Sequence, residues 1–359
     1  MKHDDTLAAE LQRRGVSRRA FLKFGSYIAS IMALPPSSVE ALAEGLAAAH
    51  RQSVIWLSFQ ECTGCTESLT RSHSPTFENL IFDFISLDYH HTLMAVSGEA
   101  AEQARKAAMA ANKGKYIVVV DGSVPLKDGG VYSTIAGVTN HQMLEDTLKD
   151  AFAVIAVGTC AAFGGIPKAN PNPTGAVPIS ELSGGKPLIN ISGCPPIADV
   201  MTGVVSYLLA FGKVPDLDHL SRPKAFFGET IHDRCYRRPF YERGLFADGF
   251  DDHGARQGYC LYKVGCKGPV TYNSCATMKW NGGVSFPIQS GHGCLGCSEP
   301  DFWDMGGFYR PLPTPLGATG PALAGAALAG AALGVGAAYS ARHHQKTYLA
   351  SLEKEKEKE

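Results

Sequence analysis

Ten cysteines are the feature that most restricts what this chain can become. They are not spread like a disulfide framework, which belongs to short chains with too little core to hold themselves together. This chain has 359 residues and an apolar fraction of 45%, enough for more than one domain with a sizeable core. Several cysteines stand in C-x-x-C pairs or beside Gly and Pro, contexts that suit cofactor ligands. The formal net charge is −1, so nothing in the total points to nucleic acid as a partner.

The first cysteines follow apolar runs. Val54-Ile55-Trp56-Leu57, Tyr116 to Val120, Val154 to Val157 and Leu188 to Ile191 read as buried strands. Helical stretches at Glu99 to Asn112 and His141 to Asp150 lie between them. That alternation predicts an α/β domain with a parallel sheet covered by helices. Cys62 and Cys65 come just after the first of these strands, Cys160 after the third and Cys194 after the fourth. Ligands of open parallel sheets bind beyond the carboxyl ends of the strands. Four thiolates are therefore expected to converge on one edge, holding either a 4Fe-4S cluster or a tetrahedral zinc.

Beyond Pro215 the strand–helix rhythm stops and Gly, Pro and aromatics become frequent. Metal clusters can order a segment of this kind. His232, Cys235, Cys260 and Cys266 make a four-ligand set, and Cys275, Cys294 and Cys297 remain, three thiols that suit a 3Fe-4S cluster. Arg234, Arg237 and Arg238 are candidates for a redox-partner docking patch, against the plainer reading of a solvated charged face.

The two ends read as addresses. Arg18-Arg19 precedes the apolar stretch Ile28 to Leu34 and then small residues, the order of a twin-arginine export signal. Cleavage is expected after Ala43 or Ala49. Leu316 to Tyr339 is an uncharged run long enough to cross a bilayer. Arg342, His343, His344 and Lys346 follow it, which places that end in the cytoplasm and the main body outside. Gly330 to Gly334 forms a small-x-x-x-small face, suited to close approach of a partner helix.

Glu61-Cys62-Thr63-Gly64-Cys65-Thr66-Glu67-Ser68, Gly158-Thr159-Cys160 and Gly193-Cys194-Pro195-Pro196 together resemble the small subunit of membrane-bound nickel–iron uptake hydrogenases. So do Ile231-His232-Asp233-Arg234-Cys235, Gly265-Cys266-Lys267-Gly268-Pro269 and Gly291 to Pro300. The resemblance implies a signal peptide over 1–49, a flavodoxin-like domain over 50–215, a cluster domain over 216–312, a transmembrane anchor over 316–339 and a cytoplasmic tail over 340–359. It implies a proximal 4Fe-4S cluster on Cys62, Cys65, Cys160 and Cys194, and a medial 3Fe-4S cluster on Cys275, Cys294 and Cys297. A distal 4Fe-4S cluster falls on His232, Cys235, Cys260 and Cys266. Catalysis is expected in a separate large subunit that holds the nickel–iron centre. Electrons from hydrogen oxidation would leave one at a time toward a membrane cytochrome b or another quinone-linked subunit, and the twin-arginine translocase would export the chain. Oxygen-tolerant relatives carry two further cysteines around the proximal cluster. Gly64 and Gly165 stand there in this chain, which implies an ordinary cubane and an oxygen-sensitive enzyme. Pro287 stands where some relatives place a fourth medial ligand. Glu61 and Glu67 are candidates for proton movement at the subunit interface, or else structural charges. An iron–sulfur subunit of another respiratory complex, an anchored zinc protein and a signalling hydrogenase subunit are the alternatives.

Overall fold

The computed structural model describes residues 18–49 and 51–312. The anchor and tail expected at 316–359 lie outside the described residues, as do 1–17 of the signal. No helix among the described residues is long and apolar enough to cross a membrane.

Five parallel strands make the central sheet: β1 (Gln52–Ser58), β2 (Ile85–His90), β3 (Ile117–Asp121), β4 (Ala153–Val157) and β5 (Leu188–Ile191). Their order is β2-β1-β3-β4-β5, the flavodoxin-like doubly wound order. Every residue of β3 and β4 is buried, because both faces of the sheet are covered and no polar face is needed. Alternation divides the side chains between the two faces. Ile55, Leu57, Val118, Val120, Val154 and Ala156 meet one cluster with Met143, Leu144 and Leu148. Val54, Trp56, Ile117, Val119, Ile155 and Ile191 meet the other with Met201, Val204 and Leu208.

The helices supply those partners. α1 (Arg18–Ile31) and α2 (Ser38–Ala48) precede the sheet. The short α3 (Gly64–Leu69) follows β1. α4 (Gly98–Ala111) and α5 (Asn140–Leu148) lie within a residue or two of the sequence expectation, and α5 starts where the Thr139 hydroxyl accepts from Gln142 N–H. α6 (Gly158–Phe163) springs directly from β4, and α7 (Ala198–Phe211) ends at Gly212 in the left-handed region.

Three elements depart from the sequence reading. β2, Ile-Ser-Leu-Asp-Tyr-His, has no apolar run to mark it as a strand; it pairs only with β1 and carries polar side chains that half-exposed edge positions tolerate. α7 is unmarked for the opposite reason. Its sequence is apolar nearly all round, so it lacks the amphipathic stripe of a surface helix. The third is the segment ahead of β1, which is folded against the body: Ile28, Leu42 and Leu46 are fully buried.

From Gly212 to Leu312 there are only short helical turns and isolated bridges, as the loss of periodicity predicts. Arg222, 1% exposed, ties distant parts of this segment together. Its guanidinium meets Asp218 at 2.8 Å and Glu299 at 3.0 Å, donates to the Ser298 carbonyl at 3.2 Å, and lies over the rings of Phe227 and Tyr272.

Candidate metal centres

The carboxyl ends of β1, β4 and β5 carry the first four thiols. Cys62 and Cys65 flank the start of α3, Cys160 sits within α6, and Cys194 follows β5 by three residues. Cys65 feels the charges of Cys160, Cys194 and Cys62. Gly158 makes the gathering possible. Its φ is +84°, and a Cβ there would fall 2.4 Å from Cys65 Sγ. At Gly165, φ +52°, a Cβ would fall 2.7 Å from Cys160 Sγ; at Gly64 it would lie 3.1 Å from Cys62 Sγ. Both positions singled out for oxygen response therefore border these thiols.

His232, Cys235, Cys260 and Cys266 line one cavity, walled by Leu261 and Ile288. The His232 ring is held edge-on by Tyr241, with centroids 4.6 Å apart. Cys275, Cys294 and Cys297 line another, together with Pro287, Trp280 and Cys194. The second and third sets of sequence-predicted ligands each line one cavity, and Cys194 of the first set also lines that of the third. Among the described residues, no three His, Cys, Asp or Glu side chains close on a point that would hold a single metal ion. In the second and third groups the ligands line cavities instead.

The groups abut in a fixed order. Cys194 feels the charge of Cys297, and Thr159, beside Cys160, donates its hydroxyl to the Cys297 carbonyl. The same hydroxyl accepts from Gly193 N–H at 2.9 Å. The Cys294 N–H donates to Cys266 Sγ at 3.3 Å, joining the last group to the second. The Cys297 group therefore stands between the other two.

Burial pushes these thiols up: Cys160 to about 11, Cys194 to about 12, Cys260 to about 11 and Cys275 to about 12. Thiols in this state are poor nucleophiles, and only a bound metal would deprotonate them at neutral pH. Backbone donors stand ready for the charged form. Arg237 N–H reaches Cys235 Sγ, Gly268 N–H reaches Cys266 Sγ and Gly296 N–H reaches Cys294 Sγ, each at 3.4 Å. Donor set, glycine-cleared space and amide donors fit iron–sulfur clusters.

A buried network that sequence reasoning missed lies behind the first group. Asp121, fully buried at the end of β3, accepts from Trp56 Nε1 at 3.0 Å and from the Thr66 hydroxyl at 3.2 Å. His90 Nε2 lies 3.2 Å from the same hydroxyl and its ring stacks on Trp56. Burial holds His90 down at about 4 and Asp121 above the usual carboxylate range. The one available signal is an acid closing the apolar run Ile-Val-Val-Val.

The two glutamates part company. Glu67 is exposed and paired with Arg71 at 2.5 Å, a structural contact. Glu61 is pushed up to about 7, by burial first and then by Asp121, and its Oε2 has no hydrogen-bond partner. The arginine patch does not present free charge. Arg237 is buried and donates to the Tyr259 carbonyl, Arg234 pairs with Glu229, and Arg238 pairs with Asp233 and Glu242.

Comparison with known proteins finds two family models along the chain. Residues 227–309 match the family described as the C-terminal part of the NiFe/NiFeSe hydrogenase small subunit. Residues 62–208 match the NADH ubiquinone oxidoreductase 20 kDa subunit family. The uptake hydrogenase small subunit of Azotobacter vinelandii is 49% identical over 314 residues, 88% of this chain and 88% of that one. That of Rhizobium leguminosarum bv. viciae is 49% identical over 308 residues, 86% of each. Among solved structures, a reduced, active Ni-Fe-Se hydrogenase from Desulfomicrobium baculatum superimposes with a TM-score of 0.69 at 34% identity, covering 73% of this chain and 100% of that chain. The [NiFeSe] hydrogenase of Desulfovibrio vulgaris Hildenborough gives 0.68 at 37% identity, covering 73% and 98%.

Proposed function

Because this chain belongs to the small subunits of nickel–iron uptake hydrogenases, we propose that it carries electrons from its large subunit through three iron–sulfur clusters to a membrane, quinone-linked acceptor. Membership makes it an iron–sulfur protein and the partner of a large subunit. The finer reading rests on one observation: three groups of Cys and His ligands abut in a single order, joined through Thr159–Cys297 and Cys294–Cys266.

In that reading Cys62, Cys65, Cys160 and Cys194 hold a proximal 4Fe-4S cluster, Cys275, Cys294 and Cys297 a medial 3Fe-4S cluster, and His232, Cys235, Cys260 and Cys266 a distal 4Fe-4S cluster. Bound clusters supply one-electron redox steps. The chain's own residues do the rest. Gly158 clears the space, and the amides of Arg237, Gly268 and Gly296 donate to ligand sulfurs, which stabilises added negative charge. Leu261, Ile288, Phe286 and Trp280 keep water from the second and third groups. Pro287, in the wall of the medial cavity, offers no ligand and supports three irons there. Gly64 and Gly165 beside the proximal thiols support an ordinary cubane and oxygen sensitivity. Glu61, with an unpartnered oxygen and a pKa of about 7, is the better candidate of the two glutamates for holding a proton near the proximal thiols.

Twin-arginine export of a folded body, cleavage after Ala43 or Ala49, and anchoring by 316–339 with the body on the outer face complete this reading. The domain limits are those of the sequence: signal 1–49, sheet domain 50–215, cluster domain 216–312 and tail 340–359.

A second reading draws on the match of 62–208 to a quinone oxidoreductase family: an electron-transfer subunit of another respiratory complex. Anaerobic purification from the native membrane separates the two. About eleven irons per chain, nickel in a co-purifying larger subunit and hydrogen-dependent dye reduction are expected. Iron without nickel or hydrogen uptake would favour the second reading. Zinc in place of iron would overturn both.

A further inference from the structure

An export leader is ordinarily pictured as a loose tether, yet here it is packed. α2 runs along α7, and α1 touches both. Ile28, Leu42 and Leu46 are fully buried, and Met32 is 4% exposed. The Phe24 ring meets Phe84 at 4.8 Å. Tyr27 lines one cavity with Asp199, on the first turn of α7, and stands edge-on to His73, itself 3.2 Å from that carboxylate. The closest approach is backbone on backbone: a Cβ at Gly45 would fall 2.1 Å from the Ala210 carbonyl oxygen. Helices come together this closely only where a residue lacks a side chain.

The burial divides the leader. Arg19, Leu22 and Lys23 are exposed, while Ile28, Ala29 and Met32, in the apolar half that a membrane would receive, face the protein. We propose that residues 24–48 are an intramolecular ligand of the face made by α7, Phe84 and His73. The charged head of the leader is presented while its apolar half stays docked until export pulls it free. Calling the segment a leader rests on the export reading above; the docking does not.

Docking and export separate experimentally. Full-length chain is purified anaerobically from cells whose twin-arginine translocase is disabled, and hydrogen–deuterium exchange is followed by mass spectrometry. Amides of α2 should be protected although an isolated helix of its length is marginal in water. Gly45→Ala improves the intrinsic helix former but places a methyl against Ala210. It should cut α2 protection by about tenfold or more while β3 amides stay protected. Gly25→Ala, whose Cβ would meet Ala43 at an ordinary 3.6 Å, should change nothing. Ile28→Ser, which removes a buried contact without crowding, should act in the same direction as Gly45→Ala. Wild-type α2 exchanging like a free peptide, or both destabilising variants leaving it as protected as before, would overturn the docking. A leader found protected but never cleaved in export-competent cells would sink the export reading alone.

Discussion

At the scale of single residues the candidate ligands stand out in the sequence, because cysteines beside Gly and Pro at strand ends have few other uses. Gly158 shows why the spacing works. Gly158→Ala would force a methyl into Cys65 and a strained φ, and the purified subunit should lack about four irons while keeping the other two clusters; a full iron count would refute this. His90 is not legible, since a lone histidine after Asp-Tyr says nothing until β2 stacks it on Trp56. Its pKa is lowered to about 4 by burial. The folded state thus binds fewer protons than the unfolded chain below pH ~6.5, and stability is lost as pH falls from there through about 4. The loss should reach no more than ~3 kcal/mol, and a His90→Gln variant should not suffer it. Thermal melts of both proteins between those pH values test the difference, and parallel curves would count against it.

At the scale of elements, four of the five strands and the helices on one face are readable from periodicity. β2 and α7 are not, one because an edge strand is half polar, the other because a helix buried on several sides has no stripe. The irregular segment is foreseeable as irregular, but what orders it is only partly visible in the sequence. Arg222 holds Asp218 and Glu299 in place, and all three are largely shielded from water. Arg222→Met would leave two carboxylates without their counter-ion, and should destabilise the protein by about 3–5 kcal/mol in denaturant unfolding. Lys267, 2% exposed, lies between Cys266 and the Cys294 carbonyl that its N–H reaches at 2.8 Å. With clusters on Cys266 and Cys294 as proposed, a cation that feels both sulfurs would favour their reduced forms. Lys267→Met should therefore lower the distal and medial potentials by on the order of tens of mV in EPR-monitored redox titrations, most at low screening. Unchanged or raised potentials would remove that role.

At the scale of the whole molecule, the order of the three ligand groups cannot be read from spacing, because sequence distance says nothing of which loops touch. Cys160 and Cys297 are far apart in the chain, yet one threonine hydroxyl ties their loops. In the sequence the two ends read only as expected addresses. That the front end folds back onto α7 has no signature in composition, since a leader's apolar core and a docked helix have the same residues. The contact that Thr159 makes has a further consequence. It accepts from the amide before Cys194 and donates to the carbonyl of Cys297, so on the proposed wiring a single side chain would be the splice between two stretches of conductor. Damage there would not cost the protein a ligand; every iron would still be counted, and the current would nonetheless slow at one joint.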